Sequence, residues 1–132
     1  MTTQKTVLIV EDETDIREAL RDALHDKAYA VLEAKDGNEG AATALEKHPD
    51  LILLDLRMPE MDGMTAFKHI REDGWGKTVP VIILTNLNAN SEHLVDDIVT
   101  HKPMEYLIKS DWKIYDVVEK VRNVLRTHET VQ

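Results

Sequence analysis

The sequence feature that most constrains the fold is the aliphatic run at residues 51–54, which ends on Asp55. Four consecutive large apolar side chains leave no polar face for water, so they predict a strand buried on both faces of a parallel sheet. Pro59 and Gly63 follow, and because proline cannot donate to a sheet ladder, the chain must leave the sheet after Asp55. In open parallel α/β sheets, ligands bind beyond the carboxyl ends of the strands. Asp55 is therefore the first candidate functional residue.

Short aliphatic runs alternate with longer amphipathic segments along the whole chain. Strands are predicted at residues 6–10, 29–34, 51–54, 79–84 and 105–108. Helices are predicted at residues 14–26, 40–47 and 65–71, in a segment that begins at Ser91, and from a cap at Ser110 or Asp111 towards the C-terminus. A turn is predicted at Asp36 and Gly37, and a loop at residues 74–76. Five βα units in succession predict an α/β fold with a doubly wound five-stranded parallel sheet, of flavodoxin-like (βα)5 type with strand order 2-1-3-4-5.

The length and composition predict one domain over residues 1–132, with a core of about residues 5–126, a polar tail at 127–132 that frays, and no effector domain. The chain has no cysteine, which excludes thiolate ligands and fits a reducing cytoplasm. Its 25 acidic and 16 basic residues give a formal net charge of -9, which disfavours direct binding to nucleic acid. No apolar run approaches the ~18 residues of a membrane span, so we expect a cytoplasmic protein without a membrane partner.

Polar side chains follow four of the predicted strands, at the edge where parallel strands end. They are Glu11 and Asp12 after the first strand, Asp55 after the third, Thr85 after the fourth and Lys109 after the fifth. Three carboxylates in one place repel one another unless a cation neutralises them, and Mg2+ prefers carboxylates together with a backbone carbonyl and water. Lys109 as a point charge and Thr85 as a hydroxyl donor complete a cradle for a phosphoryl group. Asp55 is then the candidate nucleophile, which would form an aspartyl phosphate.

Four motifs in these positions resemble the receiver domains of two-component response regulators, over nearly the whole chain. They are V-E-D-E at residues 10–13, D-L-R-M-P-E-M-D-G at 55–63, Thr85 at a strand end, and Y-L-I-K at 106–109. The resemblance implies a phosphoacceptor protein that takes a phosphoryl group on Asp55 from a histidine kinase or a histidine phosphotransfer protein. It also implies that the chain is no enzyme beyond catalysing its own phosphorylation and dephosphorylation.

The resemblance also assigns roles to the other site residues. The Mg2+ ligands that it implies are Glu11, Asp12, Asp55 and the backbone carbonyl of Arg57. Thr85 and Lys109 would hold the phosphoryl oxygens, and Tyr106 would turn inward when Thr85 is drawn to the phosphate. The surface formed by the fourth predicted helix, the fifth strand and the fifth predicted helix would then meet a downstream protein target. The chain would act as a monomer or as a phosphorylation-dependent homodimer.

The sequence departs from the pattern of this family at three places. Asn86 follows Thr85 where a small residue is common, Ser110 replaces a frequent proline, and H-K-P-M-E at residues 101–105 replaces the usual small residues before Tyr106. These departures bear on the shape of the fourth predicted helix and on access to the phosphate. They leave the acidic residues and Lys109 intact.

Other functions were weighed against the same residues. A haloacid dehalogenase-like phosphatase needs a second acid two residues after its nucleophile, where this chain has Arg57. P-loop and dinucleotide-binding domains need glycines after the first strand, and residues 10–14 contain none. The remaining alternative is a receiver-like interaction module that works without phosphorylation. The six histidines show no metal-site spacing and are interpreted as surface residues, while Trp75 and Trp112 favour partial packing on the core over partner contacts.

Overall fold

The computed structural model describes residues 4–55, 63–85, 105–108 and 113–131. The strands are β1 (Thr6–Val10), β2 (Ala30–Ala34), β3 (Leu51–Asp55), β4 (Val81–Thr85) and β5 (Glu105–Ile108). The helices are α1 (Thr14–Asp26), α2 (Gly37–Lys47), α3 (Gly63–Glu72) and α4 (Ile114–Val131), with a 3-10 turn at Trp75–Lys77. No helix in these ranges is both long enough and apolar enough to cross a membrane.

The strands form one parallel sheet in the order β2-β1-β3-β4-β5. The prediction of a flavodoxin-like parallel α/β fold is confirmed. The chain turns from β1 to β2 on one side and later returns to place β3 on the other side of β1. The order of connection therefore reverses between β1 and β3, and such a switch point leaves a crevice at the carboxyl ends of the two strands.

Helices cover both faces of this sheet. On one face, α2 and α3 pack through Ala44, Phe67 and Ile70 against the side chains of Leu8, Val10, Ile52, Leu54 and Ile83. On the other face, α1 and α4 pack through Leu20, Leu24, Val117 and Val121 against Val7, Ile9, Leu51, Leu53 and Ile82. Every residue of β3 is buried, which confirms the interpretation of the aliphatic run as a central strand.

The start of α2 differs from the sequence prediction. The helix begins at Gly37 rather than at residue 40, because Asp36 is its N-cap: the Asp36 Oδ1 oxygen accepts a hydrogen bond of 2.8 Å from the Glu39 N–H. The chain bends at Lys35 and Asp36, so the predicted turn is wrong only for Gly37, which is already helical. Helix α2 ends at His48, which has the left-handed φ of 49°, and Pro49 follows.

Helix α2 lies unusually close to the sheet. At Gly40 an added Cβ atom would lie 2.7 Å from the Val10 Cγ1 atom, which is closer than real Cβ contacts allow. The absence of a side chain at Gly40 thus sets the distance between α2 and β1.

The connection from α3 to β4 is a compact turn rather than the predicted irregular loop. Trp75 is partly buried against the core, as predicted, and its ring stacks on that of His48 with centroids 4.4 Å apart. The backbone at Gly76 presses against α3, since a Cβ atom there would lie 1.8 Å from the Ile70 carbonyl oxygen. The Arg71 Nη1 atom donates to the carbonyls of Gly76 and Val79 at 2.7 and 2.8 Å. These contacts fix the entry into β4.

Other boundaries shift by a few residues. Helix α3 begins at Gly63, two residues before the prediction, and β4 begins at Val81 instead of residue 79. Helix α4 continues through Val131, five residues beyond the predicted end of the core at about residue 126. The predicted helix at Ser91, the cap at Ser110 or Asp111, and Trp112 lie outside the described residues.

Candidate metal centre

Three carboxylates meet at the carboxyl edge of the sheet. Glu11 and Asp12 follow β1, and Asp55 is the last residue of β3. The two strands are parallel neighbours, with Val10 paired to Leu54, so their ends lie side by side. One carboxylate oxygen from each acid lies within 4.8 Å of the other two. Sequence reasoning predicted this meeting of acids from the strand ends alone.

The three acids differ in exposure. Glu11 is fully buried and Asp55 is 1% exposed, whereas Asp12 keeps access to solvent. Two unit charges at this separation repel by about 3–4 kcal/mol at an effective dielectric constant of ~20. Burying acidic side chains so close together is costly, and a cation between them would offset that cost.

The backbone around Glu11 is held by hydrogen bonds on both sides. The Glu11 N–H donates to the Ala34 carbonyl of β2 at 3.0 Å, and the Arg17 Nη1 atom donates to the Glu11 carbonyl at 3.0 Å. The Glu13 N–H donates to the Glu11 Oε2 atom at 3.3 Å. The loop from β1 to α1 therefore presents its acids in a fixed arrangement.

The donor set fits Mg2+. Its ligands are hard carboxylate oxygens, and oxygens bound to one octahedral ion at ~2.1 Å lie roughly 3–4 Å apart, a little closer than the limit of 4.8 Å in this cluster. In the part of the chain that the structure describes, this is the one group of three or more His, Cys, Asp or Glu side chains gathered in such a way.

The strand pairing of the sheet locates the backbones of Thr85 and Tyr106. Thr85 is the last residue of β4, where its neighbour Leu84 pairs with Asp55 of β3. Tyr106 lies in β5 and pairs with Ile83 of β4. The Thr85 backbone thus lies at the same edge of the sheet as the acids. Arg57 and Lys109, the other two predicted site residues, lie outside the described ranges, and so do Asn86 and Ser110.

Two residues near the centre had no part in the sequence prediction. Arg17 and Glu33 form an ion pair of 3.3 Å beside the loop from β1 to α1. Glu33 is the exposed residue of β2, and Arg17 lies in the first turn of α1, so each resembles an ordinary surface charge. Their contact depends on the register of β1 with β2, in which Ile9 pairs with Glu33. The sequence pattern does not determine this register.

Comparison with protein families identifies the domain. The sequence model of the response regulator receiver domain matches residues 7–122. The chain belongs to this family. The resemblance inferred from the four motifs is thereby confirmed, and receiver domains as a class have histidine kinases or phosphotransfer proteins as partners.

Individual relatives include longer proteins. The transcriptional regulatory protein ResD of Bacillus subtilis is 45% identical over 84 residues, which cover 64% of this chain and 34% of ResD. A protein-glutamate methylesterase/protein-glutamine glutaminase of Archaeoglobus fulgidus is 32% identical over 121 residues, which cover 91% of this chain and 34% of that protein. The chain thus spans about a third of the length of these two curated relatives.

A solved structure matches the receiver domain over almost its full length. The chemotaxis response regulator CheY4 of Vibrio cholerae superposes with a TM-score of 0.82 at 28% sequence identity. The match covers 92% of this chain and 99% of CheY4. The match to the family's sequence model and the superposition on CheY4 therefore agree on a receiver fold.

Proposed function

We propose that this receiver domain accepts a phosphoryl group on Asp55 in a Mg2+-dependent reaction, within a two-component signalling system. The observation that carries the proposal is the cluster of Glu11, Asp12 and Asp55, whose carboxylate oxygens lie within 4.8 Å of one another at the switch point of the sheet. Asp55 is the nucleophile because it ends the central strand, while Glu11 and Asp12 lie across the crevice as ligands.

The chemistry of transfer is a displacement at phosphorus. An Asp55 carboxylate oxygen forms a bond to the phosphorus of a donor phosphohistidine, the P–N bond breaks, and the imidazole of the donor keeps the electron pair and takes up a proton. Bound Mg2+ would neutralise charge on the phosphoryl oxygens. The buried side of the crevice keeps Asp55 oriented, and the open side at Asp12 admits the donor.

Four residues complete the proposed site. The Arg57 carbonyl is a further Mg2+ ligand, Lys109 and the Thr85 hydroxyl bind the phosphoryl oxygens, and Tyr106 moves with Thr85 as the switch. The family match and the positions of Thr85 and Tyr106 in adjacent strands support these roles. Phosphorylation would change the surface formed by the fourth predicted helix, β5 and α4, which is the fifth predicted helix. A protein target then recognises this surface, because a bound group shifts conformation only by interacting differently with two states.

The test is intact-mass spectrometry after incubation with acetyl phosphate. Wild-type protein should gain one phosphoryl group when Mg2+ is present and none when Mg2+ is chelated. The variant Asp55→Asn should gain none. Asp22→Asn is the matched control, because it makes the same substitution at an exposed position of α1 and should be phosphorylated like the wild type. Phosphorylation of Asp55→Asn, or its absence from the wild type with Mg2+, would contradict the proposal.

A further inference from the structure

Arg17 connects two parts of the domain beside the metal centre. Two different nitrogens of its guanidinium are used: Nη1 donates to the Glu11 carbonyl at 3.0 Å, and Nε donates to the Glu33 Oε1 atom of β2 at 3.3 Å. The Arg17 side chain is 17% exposed, whereas Glu33 is an exposed residue whose side chain is 32% accessible. The guanidinium therefore bridges the edge strand of the sheet and the loop that carries the acids.

The bridge acts on the peptide between the two predicted ligands of that loop. The Glu11 carbonyl belongs to the peptide bond that leads into Asp12, so a donor on this oxygen limits rotation of both residues. The Glu11 N–H is already held by Ala34 of the same strand that carries Glu33. With Arg17 in place, the Glu11 residue is anchored to β2 on both its amide and its carbonyl side. Functional side chains must be held within roughly 0.5 Å of their working geometry, and such anchors provide this.

We propose that Arg17, held in place by Glu33, is a positioning residue that raises the affinity of the site for Mg2+ by fixing the Glu11–Asp12 peptide. The inference rests on the proposed function in one respect, since it takes Glu11 and Asp12 to be Mg2+ ligands. The planar guanidinium suits the task because its donors lie in a fixed fork, whereas a lysine ammonium is a single point charge on a flexible chain.

Arg21 provides a matched control within the same helix. Its Nη1 atom lies 3.6 Å from the Glu33 Oε2 atom, and its Nε atom donates to Asp22 at 3.1 Å. Replacing Arg21 or Arg17 by methionine removes one positive charge and one partner of Glu33 in either case. Only the Arg17 replacement removes the recorded bond to the Glu11 carbonyl. Methionine keeps much of the aliphatic stem, so packing is disturbed little.

The first measurement is calorimetric titration of unphosphorylated protein with Mg2+. We expect Arg17→Met to raise the Kd for Mg2+ about tenfold, in the range typical for residues that orient metal ligands, and Arg17→Lys to raise it nearly as much. Glu33→Gln should raise it about threefold, and Arg21→Met less than twofold. Equal weakening by Arg17→Met and Arg21→Met, or full recovery in Arg17→Lys, would show that charge alone matters and would overturn the inference.

The second measurement needs neither metal nor phosphate. In Mg2+-free protein, hydrogen exchange of the Glu11 and Glu13 amides should become several-fold faster in Arg17→Met and stay unchanged in Arg21→Met, because only the former frees the loop. Thermal unfolding of each variant checks that the fold is kept. If the wild type fails to bind Mg2+, the proposed function fails, and exchange still decides whether Arg17 holds the loop. If Mg2+ binds equally to wild type and Arg17→Met, the inference fails while the proposed function stands.

Discussion

The carboxyl and amino edges of the sheet differ in how they accommodate charged side chains that are shielded from solvent. At the carboxyl edge, Glu11 and Asp55 are buried next to a third carboxylate of the same sign. At the amino edge, Arg71 is only partly buried, and its guanidinium lies 5.0 Å from the Phe67 ring centroid and donates to two backbone carbonyls. Burial lowers the pKa of Arg71, and the two carbonyl bonds compensate for the lost hydration of its charged form.

This difference between the two edges suggests that the amino edge contributes to the stability of the fold and the carboxyl edge to binding. The amino edge satisfies its polar groups internally, so a change there should destabilise the fold. The carboxyl edge brings three acids together, so removing one of these negative charges should stabilise the Mg2+-free fold and abolish function. Proteins commonly accept such a loss of stability at functional sites.

The largest expected effect is at Gly76, in the turn of the amino edge. Gly76→Ala should lower the free energy of unfolding by about 3 kcal/mol or more, because the new Cβ atom would collide with the backbone carbonyl of Ile70. Gly74→Ala is the control: no atom lies within 4 Å of its added Cβ, so it should change stability by less than about 0.5 kcal/mol. Urea unfolding followed by circular dichroism measures both. Similar free energies of unfolding for the two variants would show that the close packing at Gly76 does not stabilise the amino edge.

A smaller loss is expected from Arg71→Met at the same edge. Methionine replaces the aliphatic stem but leaves the carbonyls of Gly76 and Val79 without their charged donor, at a cost of about 2 kcal/mol. The same urea titration measures it. A variant as stable as the wild type would mean that desolvation of the guanidinium cancels its hydrogen bonds.

The smallest expected effect has the opposite sign and belongs to the carboxyl edge. In Mg2+-free buffer, Asp55→Asn should raise the free energy of unfolding by about 1 kcal/mol, because the amide keeps the shape of the side chain and removes one of the repelling charges. Saturating Mg2+ should stabilise the wild type more than the variant, since a ligand that binds only the folded state stabilises it. Destabilisation by Asp55→Asn without Mg2+ would indicate that the acids are not under strain from repulsion.

The sequence was sufficient for features that depend on local pattern. The aliphatic run before Asp55 predicted the central strand, and the acids at the ends of neighbouring strands predicted the candidate metal centre. Features that depend on competition between local signals were missed. The Asp36 side chain caps α2 in spite of the glycine beside it, so the helix begins three residues before the apolar pattern does.

Contacts between distant residues were also out of reach. The hydrogen bond of Arg17 to Glu11 and its ion pair with Glu33 depend on strand register and helix placement, and neither residue type is unusual where it occurs. Conversely, the roles of Lys109 and Arg57 rest on motifs alone and stay predictions, because both residues lie outside the described ranges.

The close approach of α2 to the sheet at Gly40 has a consequence for local unfolding. An 11-residue helix with Gly40 in its interior has little stability of its own, since an interior glycine costs about 1 kcal/mol relative to alanine and short helices are marginal in water. Helix α2 is therefore maintained by its packing on β1, β2 and α3, and we expect it to open locally while β1, which is paired on both sides, stays closed. Because Glu11 directly follows β1 and its N–H is bonded to Ala34 of β2, we expect the acidic cluster to keep its hydrogen-exchange protection when α2 opens.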